Sequence, residues 1–500
     1  MSSESGELAR APTPDQRLHP LSWLFVLIGQ LRQFALPLLA GLFYGAKSRA
    51  SQGDEYALIG VAVLTLISVA QYFTYRYRID ADGVTIRSGV FQRNLRHIPF
   101  ARIQNVSLHQ NLLHRFFGVA EVRLESAGAA KPEGQMRVLR LDQAHEFERL
   151  IRQRSAEAAT ADGATAAMPA QAPTTTLLRL PTMEVIKLGL IDNRGMLVVG
   201  GGFALLAQAG DNLVGKLIES VFRWFTGQAE AWHLGLITMA AAALFLLACA
   251  IMLLRLLSVL MALLQFHGFQ LEEEDGRLRI ERGLLTRWRG SAPRRRIQAF
   301  HLREGLLHRW FGRQSLRVDT AVGAAVDKHA TLRDLVPIAE PARLDAIVDG
   351  LLPEQAWPVR DWQRLHARAW WREFAPAATI CLLGTAVFCF FRGPWGLLVL
   401  AILPLLLLRA RLWAKHSAYS VEHGLVAFRS GWLDRHWRFA EIDKLQAVEW
   451  RQSPFDRRHG MASLRFDTIG ANPFAPALRL PYLPEAQARE IYRRISARLR

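Results

Sequence analysis

Apolar positions along this chain gather into six long runs that come in pairs, and each pair is followed by a polar stretch with strand-like alternation. The runs are Ser22–Tyr44 with Ala57–Tyr75, Gly195–Leu213 with Trp232–Leu254, and Phe374–Phe391 with Trp395–Leu408. About 20 apolar residues in a helix cross the hydrocarbon core, and a helix satisfies its own backbone there with a single segment. The pattern predicts three membrane-spanning helical hairpins. Ala57–Tyr75 and Trp232–Leu254 are clean runs. Ser22–Tyr44 carries Gln30, Arg32 and Gln33, and an intramembrane charge such as Arg32 needs a buried partner or water. Gly200, Gly201 and Gly202 in the third run suggest close helix packing. Arg255, at the end of the fourth, is placed to snorkel.

Behind the first pair, Tyr77–Asp80 and Val84–Arg87 alternate about Ala81-Asp82-Gly83, a hairpin signature, and Asn94–Ile98 reads as a further strand. Leu112–Phe117 reads as a helical turn stopped by Gly118. The alternating Val122–Glu125 has counterparts in Leu316–Asp319 and Leu464–Asp467. Amphipathic helices are expected at His145–Arg154, Pro341–Leu351 and Pro484–Leu499. Several strands closed by one helix indicate an α+β domain, a curved antiparallel sheet or partial barrel capped at its open end.

The polar stretches are copies of one another. Gly89, Gln104 and Gly118 in the first correspond to Gly283, Gln298 and Gly312 in the second and to Gly431, Gln446 and Gly460 in the third, with 15 and then 14 residues between successive members each time. A spacing shared without gaps at three places signals duplication. Within it lie an Arg/Lys-Ile/Leu-Gln core and a Leu-Leu-His-Arg-aromatic-Phe-Gly box, Leu112–Gly118 and Leu306–Gly312. The third copy departs from the box with Pro454-Phe455-Asp456-Arg457-Arg458-His459-Gly460.

These motifs resemble the bacterial pleckstrin-homology-like, membrane-flanked domain family, in its YdbT-like multi-domain members. The resemblance covers about Tyr75–Arg154, Phe266–Leu352 and Ala418–Arg500, each with its preceding hairpin. It implies three PH-like domains, each a seven-stranded bent antiparallel sheet capped by a C-terminal helix. It also implies membrane-anchored adaptor modules working with a smaller membrane protein of the same family, and no established catalytic residues. The expected division is a polar tail (1–20), hairpin (21–76), domain (77–155), flexible Ala/Thr/Pro linker (156–181), hairpin (182–265), domain (266–352), basic Trp-rich segment (353–373), hairpin (374–413) and domain (414–500).

Charge sets the orientation. Lys and Arg number 62 against 44 acids, a net +18, and the excess lies outside the hairpins. The positive-inside rule then places both termini and all three domains on the cytoplasmic side of a bacterial inner membrane, as a multi-pass protein. Trp23, Tyr44, Tyr72, Tyr75, Trp395 and Trp413 fit an interfacial belt. Arg287, Arg289, Arg294, Arg295 and Arg296 form the densest basic cluster, suited to anionic lipid or to a solvated basic face. Arg360, Arg364, Arg368 and Arg372 recur every four residues, as on an interfacial helix or the basic flank of the fifth run.

Chemistry-bearing motifs are few. His114 and His308 are equivalent, but Asp456 replaces them in the third copy and no HExxH or paired-carboxylate spacing is near, so a structural or surface role is expected. Gln104, Gln298 and Gln446 are expected to bond backbone at a strand edge or turn. No GxSxG, P-loop, zinc or kinase pattern occurs, and Cys249, Cys381 and Cys389 all lie in apolar runs. No cofactor or metal is expected. A non-enzymatic membrane scaffold binding lipid or a partner protein leads. A transporter or export component, motivated by Arg32 and the glycine-rich third run, is the alternative; nucleic acid is not expected, because the basic residues hug the apolar runs.

Overall fold

A computed structural model describes residues 16–33, 52–80, 82–89, 92–100, 103–126, 134–161, 175–208, 215–216, 219–220, 223–224, 227, 235–274, 276–320, 333–352, 357–468 and 478–499. The apolar helices turn out to be inserted within each β unit, after its first strand. Unit one runs β1 (Gln16–Arg17), α1 (Ser22–Gln33), α2 (Gln52–Thr74), β2 (Arg76–Ile79), β3 (Gly83–Ser88), β4 (Asn94–Pro99), β5 (Ile103–Gln110), α3 (Leu112–Phe116), β6 (Val119–Ser126), β7 (Gly134–Arg140) and α4 (Leu141–Ala161). Unit two repeats the order with β8 (Thr175–Arg179), α5 (Thr182–Ile191), α6 (Arg194–Gln208), α7 (Leu236–Phe266), β9 (Gln270–Glu274), β10 (Arg277–Arg282), β11 (Arg287–Pro293), β12 (Ile297–Glu304), α8 (Leu306–Trp310), β13 (Gln314–Thr320), β14 (Asp334–Ala339) and α9 (Pro341–Leu351). Unit three has β15 (Gln363–Arg364), α10 (Ala369–Arg392), a 3-10 run over Gly393–Ile402, α11 (Leu403–His416), β16 (Ala418–Glu422), β17 (Leu425–Ser430), β18 (Arg435–Glu441), β19 (Leu445–Arg451), α12 (Pro454–Arg458), β20 (Met461–Thr468), β21 (Arg479–Pro484) and α13 (Glu485–Arg498).

Each unit thus holds seven strands, four in one antiparallel sheet and three in another, closed by a helix whose apolar face enters the core. Ala144, Phe147 and Ile151 do this in α4, Leu344, Ile347 and Val348 in α9, and Ala488, Ile491 and Ile495 in α13. The first strand is short because it only has to tether the root of the helical pair. Leu18, Leu180 and Leu365, each just past that strand, are all buried. Three expectations are corrected here. The tail over 1–20 contains β1, paired with β2. The linker over 156–181 is bounded by α4, which continues to Ala161, and by β8, paired with β9; residues 162–174 lie outside the described residues. The helix proposed through Arg360–Arg372 is absent: Gln363 and Arg364 pair with Tyr419 and Ala418, and the helix starts only at Ala369. Completing a sheet edge outweighs the helical spacing of four arginines.

The repeat glycines are where the turn geometry requires them. Gly89, Gly283 and Gly431 have φ of 115°, 113° and 90°, and a Cβ there would fall on the carbonyl oxygens of Gln92, Thr286 and Asp434. Gly118, Gly312 and Gly460, at φ 60–64°, end the short helices α3, α8 and α12 in the left-handed conformation.

The units are zipped together through their sheets. β11 pairs antiparallel with β5, and β18 with β12, so each junction makes one continuous seven-stranded sheet from two units. The registers coincide. Gln110 faces Arg287 as Glu304 faces Arg435, and Leu108 faces Arg289 as Leu302 faces Trp437. The second junction also shares a core, with Phe300 stacked on Phe439 at 5.1 Å and Trp357 on Phe439 at 4.4 Å.

Two stretches are long and apolar enough to cross a membrane, Ile237–Phe266 and Ala369–His416; Ser22–Leu31 and Ile59–Thr74 are shorter apolar helices. The six expected spans are therefore not all present as separate crossing helices among the described residues, and Phe34–Tyr44 and residues 209–213 lie outside them. In the last pair the chain turns at Gly393, φ 64°, and returns beside α10, with the Cys381 Sγ 3.6 Å from the Val399 carbonyl oxygen. α7 continues past Leu254 to Phe266 because α5 packs on its second half, Gly189 against Val259. Arg255 does not snorkel alone: it donates to the Leu190 carbonyl at 3.0 Å and to Asn193 Oδ1 at 2.8 Å. Among the described residues Gly200, Gly201 and Gly202 have no neighbour within 4 Å where a Cβ would stand, whereas Gly189 and Gly195 lie close against α7.

Candidate functional site: a rim beside the apolar helices

The Leu-Leu-His-Arg box sits at the root of the apolar helices in every unit. His114 is 4% exposed, and its ring lies 4.2 Å from that of Phe25 in α1. His308, also 4% exposed, is held below its ordinary pKa by burial and then by the charge of Arg303. In the third unit Asp456 is 5% exposed and accepts from Arg372 Nε, in the first turn of α10, at 2.9 Å. The departure from His is thus matched by a basic residue on the neighbouring helix. His114 and Asp456 thus each touch a residue of the apolar helices, Phe25 and Arg372.

The arginine of the box does a second job. Arg115 donates to the Leu284 carbonyl at 2.9 Å, and Arg309 to the Trp432 carbonyl at 3.1 Å. Each therefore grips the glycine turn of the next unit. The Leu284 N–H in turn donates to the Leu264 carbonyl near the end of α7 at 3.1 Å. Boxes and turns form one row along the helix roots. That row exposes large apolar groups, among them Phe116 at 83%, Trp310 at 80% and Phe455 at 66%, with Leu284, Leu285, Trp432 and Leu433 at the turn tips. Apolar side chains interleaved with arginines beside apolar helices suit the headgroup layer of a bilayer. Sequence reasoning placed these aromatics in a repeat motif without seeing that they face outward. Exposure does not show in a five-residue helix, which has too few turns to display an amphipathic period.

The basic cluster is divided. Arg287 and Arg289 flank Glu281 at 3.1 and 3.7 Å. Arg294 meets Glu273 at 3.7 Å and donates to the last carbonyl of α9, that of Leu351, at 3.0 Å. β11 separates the two groups by about 20 Å, with the Arg287 end toward the α7 root. Among the described residues no carboxylate lies within ion-pair distance of Arg295 or Arg296, and burial followed by repulsion from Arg295 lowers the Arg296 pKa. Of the other four arginines, Arg360 and Arg364 are exposed, Arg368 contacts His459 Nδ1 at 2.9 Å, and Arg372 is the Asp456 partner. Arg32 lies in the last described turn of α1.

The recurrent glutamines differ with their surroundings. Gln298 is 5% exposed and donates to the Arg296 carbonyl at 3.4 Å, whereas Gln446 is exposed on β19. Below the rim, Asp334 gathers Arg317 at 2.9 Å, Arg282 at 3.8 Å and Arg194 at 3.9 Å. Burial raises the Asp334 pKa, but the three guanidiniums, Arg317 foremost, pull it lower than burial lifts it. Arg194 and Arg282 also stack on Phe266, 4.6 and 5.0 Å from its centroid. This network fastens the second domain to the ends of α6 and α7.

Three PH-like sandwiches, each with apolar helices inserted after its first strand, define a membrane-associated β-domain array. The family described as Bacterial PH domain matches residues 24–155, 229–351 and 378–499, well over half of the chain, and the protein belongs to that family. It is similar to the UPF0699 transmembrane protein YdbT of Bacillus subtilis (strain 168), with 22% identity over 455 residues, 89% of this chain and 90% of that one. No solved structure matches.

Proposed function

We propose that the protein is a non-enzymatic scaffold of the bacterial cytoplasmic membrane. Three hairpins anchor it, both termini face the cytoplasm, and the three PH-like domains lie against the inner leaflet to engage anionic headgroups and partner proteins, a smaller membrane protein of the same family among them. The observation that carries this reading is the rim, where Phe116, Trp310 and Phe455 are exposed beside helix roots and alternate with Arg115 and Arg309. It moves the headgroup contact away from Arg294–Arg296, which sit one strand length from the α7 root. Among the described residues the glycines that motivated a transporter make no close helix contact.

Spin labels test it. With the full chain in anionic proteoliposomes, nitroxides at Phe116→Cys, Trp310→Cys and Phe455→Cys should be relaxed more by oxygen than by a water-soluble nickel complex. A label at Arg295→Cys should show the reverse. Nickel-dominated relaxation at all four positions would remove the lipid-facing reading.

A further inference from the structure

The two junctions inside the chain leave one strand unused at each end of the array. β5 and β12 each have a sheet neighbour on both sides, but among the described residues β19, their counterpart, pairs only with β20. β11 and β18 each have two neighbours, but among the described residues β4, their counterpart, pairs only with β3. The two open edges are therefore of opposite kinds. One is the type that accepts a following unit, and the other is the type that joins a preceding one.

Exposure marks them as uncovered. On β12, Ala299, Phe300 and Leu302 are buried at 6%, 2% and 4%. At the same places on β19, Ala447 is exposed and Val448 and Trp450 are only half-buried. On β18, Phe439 is fully buried, while on β4 every residue from Asn94 to His97 is exposed and Leu95 stands at 72%.

We infer that β4 of a second copy of this chain pairs antiparallel with β19, making a third junction like the two internal ones. The register is fixed by those two, which agree with each other. Carried over along the repeat, it sets Trp450 opposite Leu95, where Leu302 meets Trp437 at the second junction, and Glu449 opposite Arg96, where His301 meets Arg438. An exposed apolar side chain thus meets a half-buried indole, and an acid meets a base. Within one copy Leu95 stands exposed, while Glu449 accepts from Arg451 Nε at 2.8 Å. The third box carries Arg457 at the place of Arg115 and Arg309, so the donor that seals each internal junction is also supplied. Contact of this sort is heterologous, so copies joined head to tail give a row or a closed ring in the membrane plane. Edge strands that are flat, exposed and uncovered seek partners, and pairing them removes that liability. The pairing requires only the sheets and not the lipid contact proposed above.

The test uses full-length chains in native membranes with Cys249, Cys381 and Cys389 replaced by Ala. Cysteines directly opposite in an antiparallel pair are within disulfide reach. Leu95→Cys with Trp450→Cys in one chain should give, on oxidation, a ladder of dimers and higher species that reductant collapses. Chains carrying one cysteine each, expressed together, should stop at the mixed dimer. An intrachain pair across the second junction, Arg303→Cys with His436→Cys, reports that the array is folded and the oxidant effective. Glu449→Arg should lower ladder yield about fivefold, as expected of a cross-strand charge pair turned repulsive, and adding Arg96→Glu should restore it. If the intrachain disulfide forms while Leu95→Cys and Trp450→Cys leave only monomer, self-pairing is wrong. Capture of a different protein by Trp450→Cys, with none of this chain, would equally overturn it.

Discussion

Replacing Asp456 with Asn keeps the shape of the third box and removes its charge. The carboxylate accepts from Arg372 Nε at 2.9 Å and from the Ser453 N–H at 3.0 Å, while the Asp456 N–H donates to Ser453 Oγ at 3.2 Å, closing a capping box. The Asp456 side chain is 6% exposed and that of Arg372 is 24% exposed. Stranding one member of a fully buried ion pair costs about 3–5 kcal/mol. Arg372 retains some access to solvent, and Asn retains a weaker acceptor, so about 2–3 kcal/mol is expected for this site. The second and third units share a core and should melt together, so the loss corresponds to a fall of about 5–10 °C in Tm for a unit of that size. The assay is a fluorescence-monitored melt of the full chain in mild detergent, with proteolysis of the third domain as a second reading. Arg372→Met combined with Asp456→Asn should recover more than half of the loss, because no buried charge is then stranded. The reasoning fails if Asp456→Asn melts within a degree of the parent, or if the double variant is as unstable as the two single losses added.

Two further perturbations separate the forces in the fold. Glu184, on α5, is pushed down to about 2 from 4.5, first by the hydrogen bonds from Arg313, with Lys187 adding to them against the opposing effect of burial. Its stabilisation is present above the unfolded value and is lost as pH falls from about 4.5 toward 2; after allowance for screening it amounts to about 1–2 kcal/mol at neutral pH. Glu184→Gln should therefore destabilise at pH 7 and match the parent near pH 2 in detergent melts; an equal gap at both pH values would contradict the ion pair. Gly283→Ala should cost about 2–4 kcal/mol, since its Cβ meets the Thr286 carbonyl oxygen at φ 113°, whereas Gly312→Ala, at φ 60° with open space, should cost only about 1 kcal/mol. Equal losses at the two glycines in chemical denaturation would show that the close carbonyl is not what demands Gly283.

The strands and closing helices could be read from alternation because each side chain's preference for core or solvent is local. Val84 and Ile86 are buried on β3 as the period of two requires, and His423-Gly424, at φ 50° and 77°, closes the β16–β17 turn. Partners were harder. β1, β8 and β15 are brief and lie a whole helical pair away in sequence from the strands they join, so no local pattern ties Arg17 to Arg76 or Arg364 to Ala418. The junctions were hidden for another reason. An edge strand paired with the next unit has the same alternation as one left open, and only burial tells Phe300 from Val448. In the same way, five basic residues close in sequence became two groups, because a strand carries its ends apart and Glu281 and Glu273 each hold one end. Charge counting along the chain cannot see either effect.

The proposed scaffold requires that all three domains, joined by strand pairing, lie on one face of the membrane, the cytoplasmic one. Cysteines at Gln143, Ala346 and Glu490, exposed on the three closing helices, can be introduced one at a time into the chain freed of its own cysteines and probed with a membrane-impermeant maleimide. All three should remain unlabelled in intact cells and react in inverted membrane vesicles. A single one of them labelled from outside while the other two react from within would contradict the account.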